Sequence, residues 1–183
     1  YSANASVLGG EWSTNTSPGG ALTAVADPAG GANLVGRLGP TLSTGGPAAV
    51  VNNSVAIANG SQGTLFLRTR AGGDLNDVFG MTDVNAPVTW TDFRAIARFG
   101  DDTTSAAPLF AYDSSTYESV SSTTAANTWY SIWMVVDNAT DSTRLYIQGG
   151  AYTTQTELTS ASDPLGFRGS AGTNAIDRIF LGV

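Results

Sequence analysis

The chain has 183 residues, 42% of them apolar, and a formal net charge of −7. That is enough for one domain with a real core and short for two. It holds no His, Cys or Lys, so all eight cations are arginine, which excludes Ser-His-Asp and Cys-His catalysis, the usual zinc, copper and haem sites, Schiff bases and P-loop phosphate binding.

The acidic balance argues against a nucleic-acid partner, because binding a phosphate backbone needs a basic surface. No run approaches the roughly 18 apolar residues of a membrane span. Any metal would be a hard cation held by oxygens, calcium foremost. The absence of Cys fits the bacterial cytosol or exterior better than a small eukaryotic secreted domain. The sequence begins with Tyr1 rather than Met. Processing of a signal peptide, or attachment to a larger multidomain chain, is therefore expected, with an extracellular or cell-surface location.

Along the chain, Gly-Gly pairs at 9–10, 19–20, 30–31 and 45–46, with Pro18, Pro28, Pro40 and Pro47, break any helix in the first 47 residues. Short strands and long loops are predicted there. Strands are predicted at Ala48–Ala58, Gly63–Arg70, Asp77–Thr82, Thr91–Phe99, Pro108–Tyr112 and Tyr117–Ser121. Further strands are predicted at Trp129–Asp137, Thr143–Gln148, Thr154–Leu158, Phe167–Arg168 and Ala175–Val183. These runs are rich in β-branched and aromatic residues and are bounded by turn formers. Strands at this density predict an all-β sandwich, jelly roll or barrel. No internal repeat or linker divides the sequence, so a single domain over 1–183 is expected.

Period-two alternation assigns the faces. In Gly63–Arg70, Leu65, Leu67 and Thr69 share one side, while Phe66, Arg68 and Arg70 share the other. In Thr91–Phe99, Phe93, Ala95, Ala97 and Phe99 form an apolar side opposite Arg94, Ile96 and Arg98. Trp129–Asp137 is apolar on both sides: Trp129, Trp133 and Val135 on one, Tyr130, Ile132, Met134 and Val136 on the other. Such a strand is central and covered on both faces, or it presents aromatics to a ligand.

The run W-Y-x-I-W-M-V-V-D-N, a polar turn, and then T-R-L-Y-I-Q-G-G resembles the hairpin of laminin-G-like domains. Asp27–Val35 (D-P-x-G-x-x-N-x-V), G-T-L-F-x-R, W-x-D-F and a closing I-D-R-I follow an order similar to bacterial domains of the concanavalin A-like lectin/glucanase superfamily. The resemblance spreads over residues 25–183. It implies a jelly-roll sandwich of two curved antiparallel sheets, with carbohydrate recognition as the commonest role. It leaves function open, since that fold carries lectins, enzymes and adhesion domains. The E-x-D-x-x-E strand of the laminarinase-type members is missing: Glu11, Glu118 and Glu157 are far apart in sequence. The catalytic His of the alginate-lyase-like members is missing too. A glycosidase needs two carboxyls about 5–9.5 Å apart, and distant residues such as Asp92 could still converge.

Arg68, Arg70, Arg94 and Arg98 form a candidate patch on neighbouring strands of one sheet, suited to an anionic polysaccharide. The plainer reading pairs them with Asp77, Asp83 and Asp92, or leaves them solvated. Trp90, Tyr112, Tyr117 and Tyr152, near strand ends and polar loops, are candidate sugar-stacking aromatics, whereas Trp129 and Trp133 are expected in the core. For calcium, the resemblance points to a structural site at Asp27 with Asn33, and at Asp177. Asp101–Asp102 and the turn carrying Asp137 and Asp141 are rivals, the latter most simply a hairpin turn. The expected function is a non-catalytic, lectin-like carbohydrate-binding module of a bacterial extracellular protein. The alternative is a structural or adhesion domain, or a self-associating subunit of a surface assembly or filament.

Overall fold

The computed structural model of the chain describes residues 12–16, 21–28, 30, 34–39, 48–52, 55–70, 77–85, 87, 90–100 and 108–182. Among these the chain is all-β. The strands are β1 (Trp12–Thr16), β2 (Ala21–Ala26), β3 (Leu34–Gly39), β4 (Ala48–Asn52), β5 (Gln62–Arg70), β6 (Asp77–Thr82) and β7 (Ala95–Phe99). They continue with β8 (Leu109–Asp113), β9 (Thr116–Ser121), β10 (Trp129–Asp137), β11 (Ser142–Gly149), β12 (Tyr152–Leu158), β13 (Leu165–Gly166) and β14 (Arg178–Gly182). One short 3-10 helix spans Trp90–Asp92. No helix among the described residues is long and apolar enough to cross a membrane.

A seven-stranded sheet runs β1-β4-β14-β6-β7-β8-β9, and a second runs β12-β11-β10-β5 with β13 joined to β11. β2 and β3 form a separate hairpin. Every pairing is antiparallel. The chain passes from one large sheet to the other at β4–β5, β5–β6, β9–β10 and β13–β14, so each sheet is assembled from distant parts of the sequence. The first strand and the last lie in the same sheet, both beside β4.

One continuous core fills the space between the two sheets. The seven-stranded sheet contributes Phe79, Met81, Ala95, Ala97, Phe99, Leu109 and Ala111, and the other contributes Leu65, Tyr130, Ile132, Met134, Val136, Leu145 and Ile147. These are the inward members of alternating strands, so one face of each sheet is apolar and the sheets associate through it. The buried Tyr130 keeps its hydroxyl satisfied, accepting a hydrogen bond of 2.9 Å from the Ala125 N–H. Gly80 lets β6 and β7 approach closely: a Cβ there would collide with the Ala95 carbonyl oxygen and sit 2.8 Å from the Phe93 ring.

Some predicted boundaries move. Ala48–Ala58 is not one strand. β4 ends at Asn52, and Ile57 makes a separate bridge to Ile176. The predicted Thr91–Phe99 strand begins only at Ala95, because the 3-10 turn takes up its first residues. Phe93 therefore leaves the alternation and stacks on Phe180, with centroids 4.3 Å apart. It joins Val78, Ile96 and Phe180 in a second cluster, separate from the main core. The predicted strand at Phe167–Arg168 is displaced to Leu165–Gly166.

The β10–β11 turn is held by side chains, as its Asp/Asn content suggests. Asp137 accepts from the Ala139 and Thr140 N–H groups at 2.8 and 3.2 Å, and from the Gln62 amide at 2.6 Å. Asn138 is 2% exposed and donates to the Ile57 and Asn174 carbonyls at 3.1 and 2.9 Å. It ties the turn to the bridge. The Gln62 amide, then the Ala139 N–H, hold the Asp137 carboxyl below its usual range. A carboxylate with a depressed folded-state pKa contributes stability above its unfolded value and loses that contribution as pH falls through the folded one. Chemical denaturation of wild type and Asp137→Asn should differ most near neutral pH. The difference should shrink as pH drops below about 3.9.

Candidate functional site

The five-stranded sheet turns a row of rings outward. β10 pairs with β5 along its whole length, placing Trp133 opposite Phe66, Ser131 opposite Arg68, and Trp129 opposite Arg70. On its other side Trp133 faces Tyr146 of β11, which in turn faces Glu157 of β12. Directly paired residues share a face. Phe66, Trp133, Tyr146 and Glu157 thus form one line across four strands, on the side opposite the buried Leu65, Ile132, Leu145 and Ile147. The Phe66 and Trp133 rings are 5.2 Å apart and tilted by 46°. Phe66 is 52% exposed, the one large apolar side chain left open among the described residues.

This corrects the expectation that Trp129 and Trp133 are core. Both are half-buried on the outer face, while their neighbours Tyr130, Ile132 and Met134 are buried. The strand is apolar on both sides because its second side carries a surface of rings. Arg68 lies over the Trp129 ring, 5.3 Å from guanidinium carbon to centroid, a contact of about 0.5–1 kcal/mol at an exposed site. The Trp129 Nε1 is covered and makes no hydrogen bond. Arg70 Nε donates to the Asn127 carbonyl at 3.0 Å. At the opposite end of the face Arg144 bonds Glu157 at 2.9 Å and Asp163 at 3.1 Å. Those acids raise its already high pKa. Burial, then the neighbouring Glu157, push the Tyr146 phenol up, so it stays neutral.

The four arginines do not form one patch. Arg68 and Arg70 belong to β5, in the five-stranded sheet, while Arg94 and Arg98 belong to β7 and its approach, in the seven-stranded sheet. Arg94 meets the plainer expectation: its Nε is 2.6 Å from Asp83, whose side chain is only 5% exposed. Arg98 lies over Tyr117 at 4.0 Å and Phe110 at 5.6 Å. Tyr112 and Tyr117 face each other across β8 and β9, edge to face at 5.0 Å, and Arg168 lies over Tyr112 at 4.6 Å. Both tyrosines pack against the second apolar cluster. Their rings are half-buried and are held by guanidinium groups and by each other. Tyr152 hydrogen-bonds Ser121 and Thr123 at 2.5 and 2.9 Å. Trp90 opens the 3-10 helix, and its side chain falls outside the described positions.

For calcium, Asn33 lies outside the described residues, as do Asp101 and Asp102. Asp27 follows β2, where its carbonyl closes a turn to the Gly30 N–H at 2.9 Å. Asp177 precedes β14 and pairs with Arg178. Among the described residues no three acidic groups come together as a metal site.

A shallow cleft of about 630 Å³ lies where β8, the β10–β11 turn and residues 164–170 meet, lined among others by Asp113, Ser114, Asp141, Phe167 and Ser170. Its carboxylates act as latches. Asp113 accepts from the Gly166 N–H at 2.8 Å, and Asp141 accepts from the Ser170 hydroxyl at 2.5 Å. The Gly166 N–H and the Ser162 hydroxyl hold Asp113 below its usual range.

Compared with known proteins, the chain matches no family model, no curated protein and no solved structure.

The outer placement of the rings has a direct consequence for stability. Phe66→Ala should cost about 1 kcal/mol, mainly its ring contact, whereas Ile132→Ala should cost about 2–5 kcal/mol through a core cavity. Urea unfolding of the two variants checks which side of the sheet is the core.

Proposed function

We propose that the chain is a non-catalytic, lectin-like carbohydrate-binding module that seats a glycan on the outer face of its five-stranded sheet. The observation that carries this reading is the ring line Phe66–Trp133–Tyr146, with Phe66 open to solvent at one end. Sugar rings present flat patches of C–H groups, which pack on aromatic faces through dispersion and the hydrophobic effect. Ser131 and Gln148, paired in the next line beside Arg68, supply hydrogen-bonding groups for ring hydroxyls. A rigid sheet holds these contacts at fixed spacing, which limits the entropy lost on binding.

Non-catalytic binding fits the carboxylates on hand. Glu118 lies on β9 and Glu157 on β12, in different sheets, and Glu157 is bonded to Arg144. An extracellular location and the jelly-roll winding belong to the same reading. A second role follows from the same exposed ring, since open apolar surface also serves self-association. That is the assembly-subunit alternative, and it would give a concentration-dependent oligomer in sedimentation that Phe66→Arg dissolves.

Affinity electrophoresis through gels containing soluble polysaccharides tests the main reading. Wild type should be retarded by at least one polymer. Trp133→Ala should weaken that retardation tenfold or more while keeping the β-sheet circular dichroism. Free migration of wild type through every gel, or full retardation of Trp133→Ala, would sink it.

A further inference from the structure

The distribution of ion pairs separates the arginines. Arg94, Arg144 and Arg178 pair with Asp83, with Glu157 and Asp163, and with Asp177. Arg98 and Arg168 lie over tyrosines. Arg68 also lies over a ring, that of Trp129, but it and Arg70 differ in where they stand. They stand on the outward side of β5, two residues and so about 6.7 Å apart along the strand, and neither pairs with a carboxylate among the described residues. Arg68 is exposed and braced by the Trp129 ring. Arg70 spends its Nε on the Asn127 carbonyl, which leaves its terminal nitrogens outside that bond.

The face is therefore polarised. Its β5 side carries two cations next to the open Phe66 ring, and its β12 side carries Glu157. In a chain of net charge −7, two arginines with no acidic partner among the described residues thus stand on the strand that carries the exposed aromatic. The β12 side already holds an internal copy of the interaction on offer: the Glu157 carboxylate bonded to a guanidinium, in line with a ring, Tyr146.

We propose that the face takes a polyuronate. Its sugar rings pack on Phe66 and Trp133, and its carboxylates pair with Arg68 and Arg70. This rests on the carbohydrate-binding reading above and adds the substrate class. Guanidinium forks match carboxylates in planar, bidentate geometry. A polymer carrying an acid on every ring can engage both arginines at once, whereas at the far side Arg144 is already shared by the Glu157 and Asp163 carboxylates. Binding then weakens as salt screens the charges.

The test uses polygalacturonate and the same polymer after reduction of its carboxyls to neutral alcohols, with isothermal titration at low salt. Wild type should bind the acidic polymer at least tenfold more tightly than the neutral one. Arg68→Gln with Arg70→Gln should abolish the preference for the acidic polymer while the β-sheet circular dichroism is kept, the melting temperature falling only by the few degrees that loss of the Trp129 and Asn127 contacts implies. Arg37→Gln, exposed on β3, should leave the preference intact. Equal affinity for the two polymers, or an unaltered preference in the double variant, would overturn the polyuronate assignment and leave the glycan-binding module standing. Tight binding of dextran sulfate with none of polygalacturonate would likewise overturn it, in favour of sulfate as the anion. Failure of wild type to bind these polymers or any in the wider panel would remove the underlying reading as well.

Discussion

The register of β10 is the constraint on which the other features depend. The strand is hydrogen-bonded on both sides, to β5 over its full length and to β11 over most of it. Side chains alternate with period two, so a slip of one residue would move every ring to the other face. In the observed register Tyr130, Ile132, Met134 and Val136 are buried against the opposite sheet, and Trp129 and Trp133 look outward. Outward and inward aromatics cannot trade places without opening a cavity in the core and exposing aliphatic surface. The core thereby fixes which side chains make up the outer face. The energy that selects the register is buried between the sheets, and the ring line on the outer side is positioned by it.

Charge placement follows the same geometry. The seven-stranded sheet covers its second face with the Phe93–Phe180 stack and the Tyr112–Tyr117 pair, and uses Arg94, Arg98 and Arg168 to close that layer. These cations are structural, holding rings and a buried carboxylate. The five-stranded sheet lacks such a cover among the described residues, and its β5 arginines remain beside open aromatic surface. One chemistry, guanidinium against ring, thus recurs on the half-buried outer side of both sheets.

Much of this was legible in the sequence. Strand density and turn chemistry gave the all-β class, and the limits of β6 and β10 were found to the residue because turn formers bracket them. The inward set of β5 was legible from Leu65 and Leu67 alternating with arginines. The arginine grouping was not, because sequence neighbours in a sandwich often lie in different sheets, and β5 and β7 do. Nor was the outward turn of Trp129 and Trp133, since a strand apolar on both sides has no alternation signal. The signal that could have found it was on the partner strand. Arg68 and Arg70 mark the outer side of β5, and pairing β10 to β5 in register carries that side over to the tryptophans. Phe93 was misassigned because a 3-10 turn, which alternation cannot see, precedes the strand.

The central claim is that ligand meets the protein on the outer face of the five-stranded sheet. Two-dimensional NMR of isotope-labelled protein titrated with polygalacturonate oligomers tests it most directly. The account predicts shifts at the Trp129 and Trp133 indole N–H groups and at the Arg68 and Arg70 Nε–H groups, with amides of β5 and β10 following. Shifts confined to residues 113–114, 140–142 and 164–170 would place binding in the cleft beside the β10–β11 turn instead and contradict it.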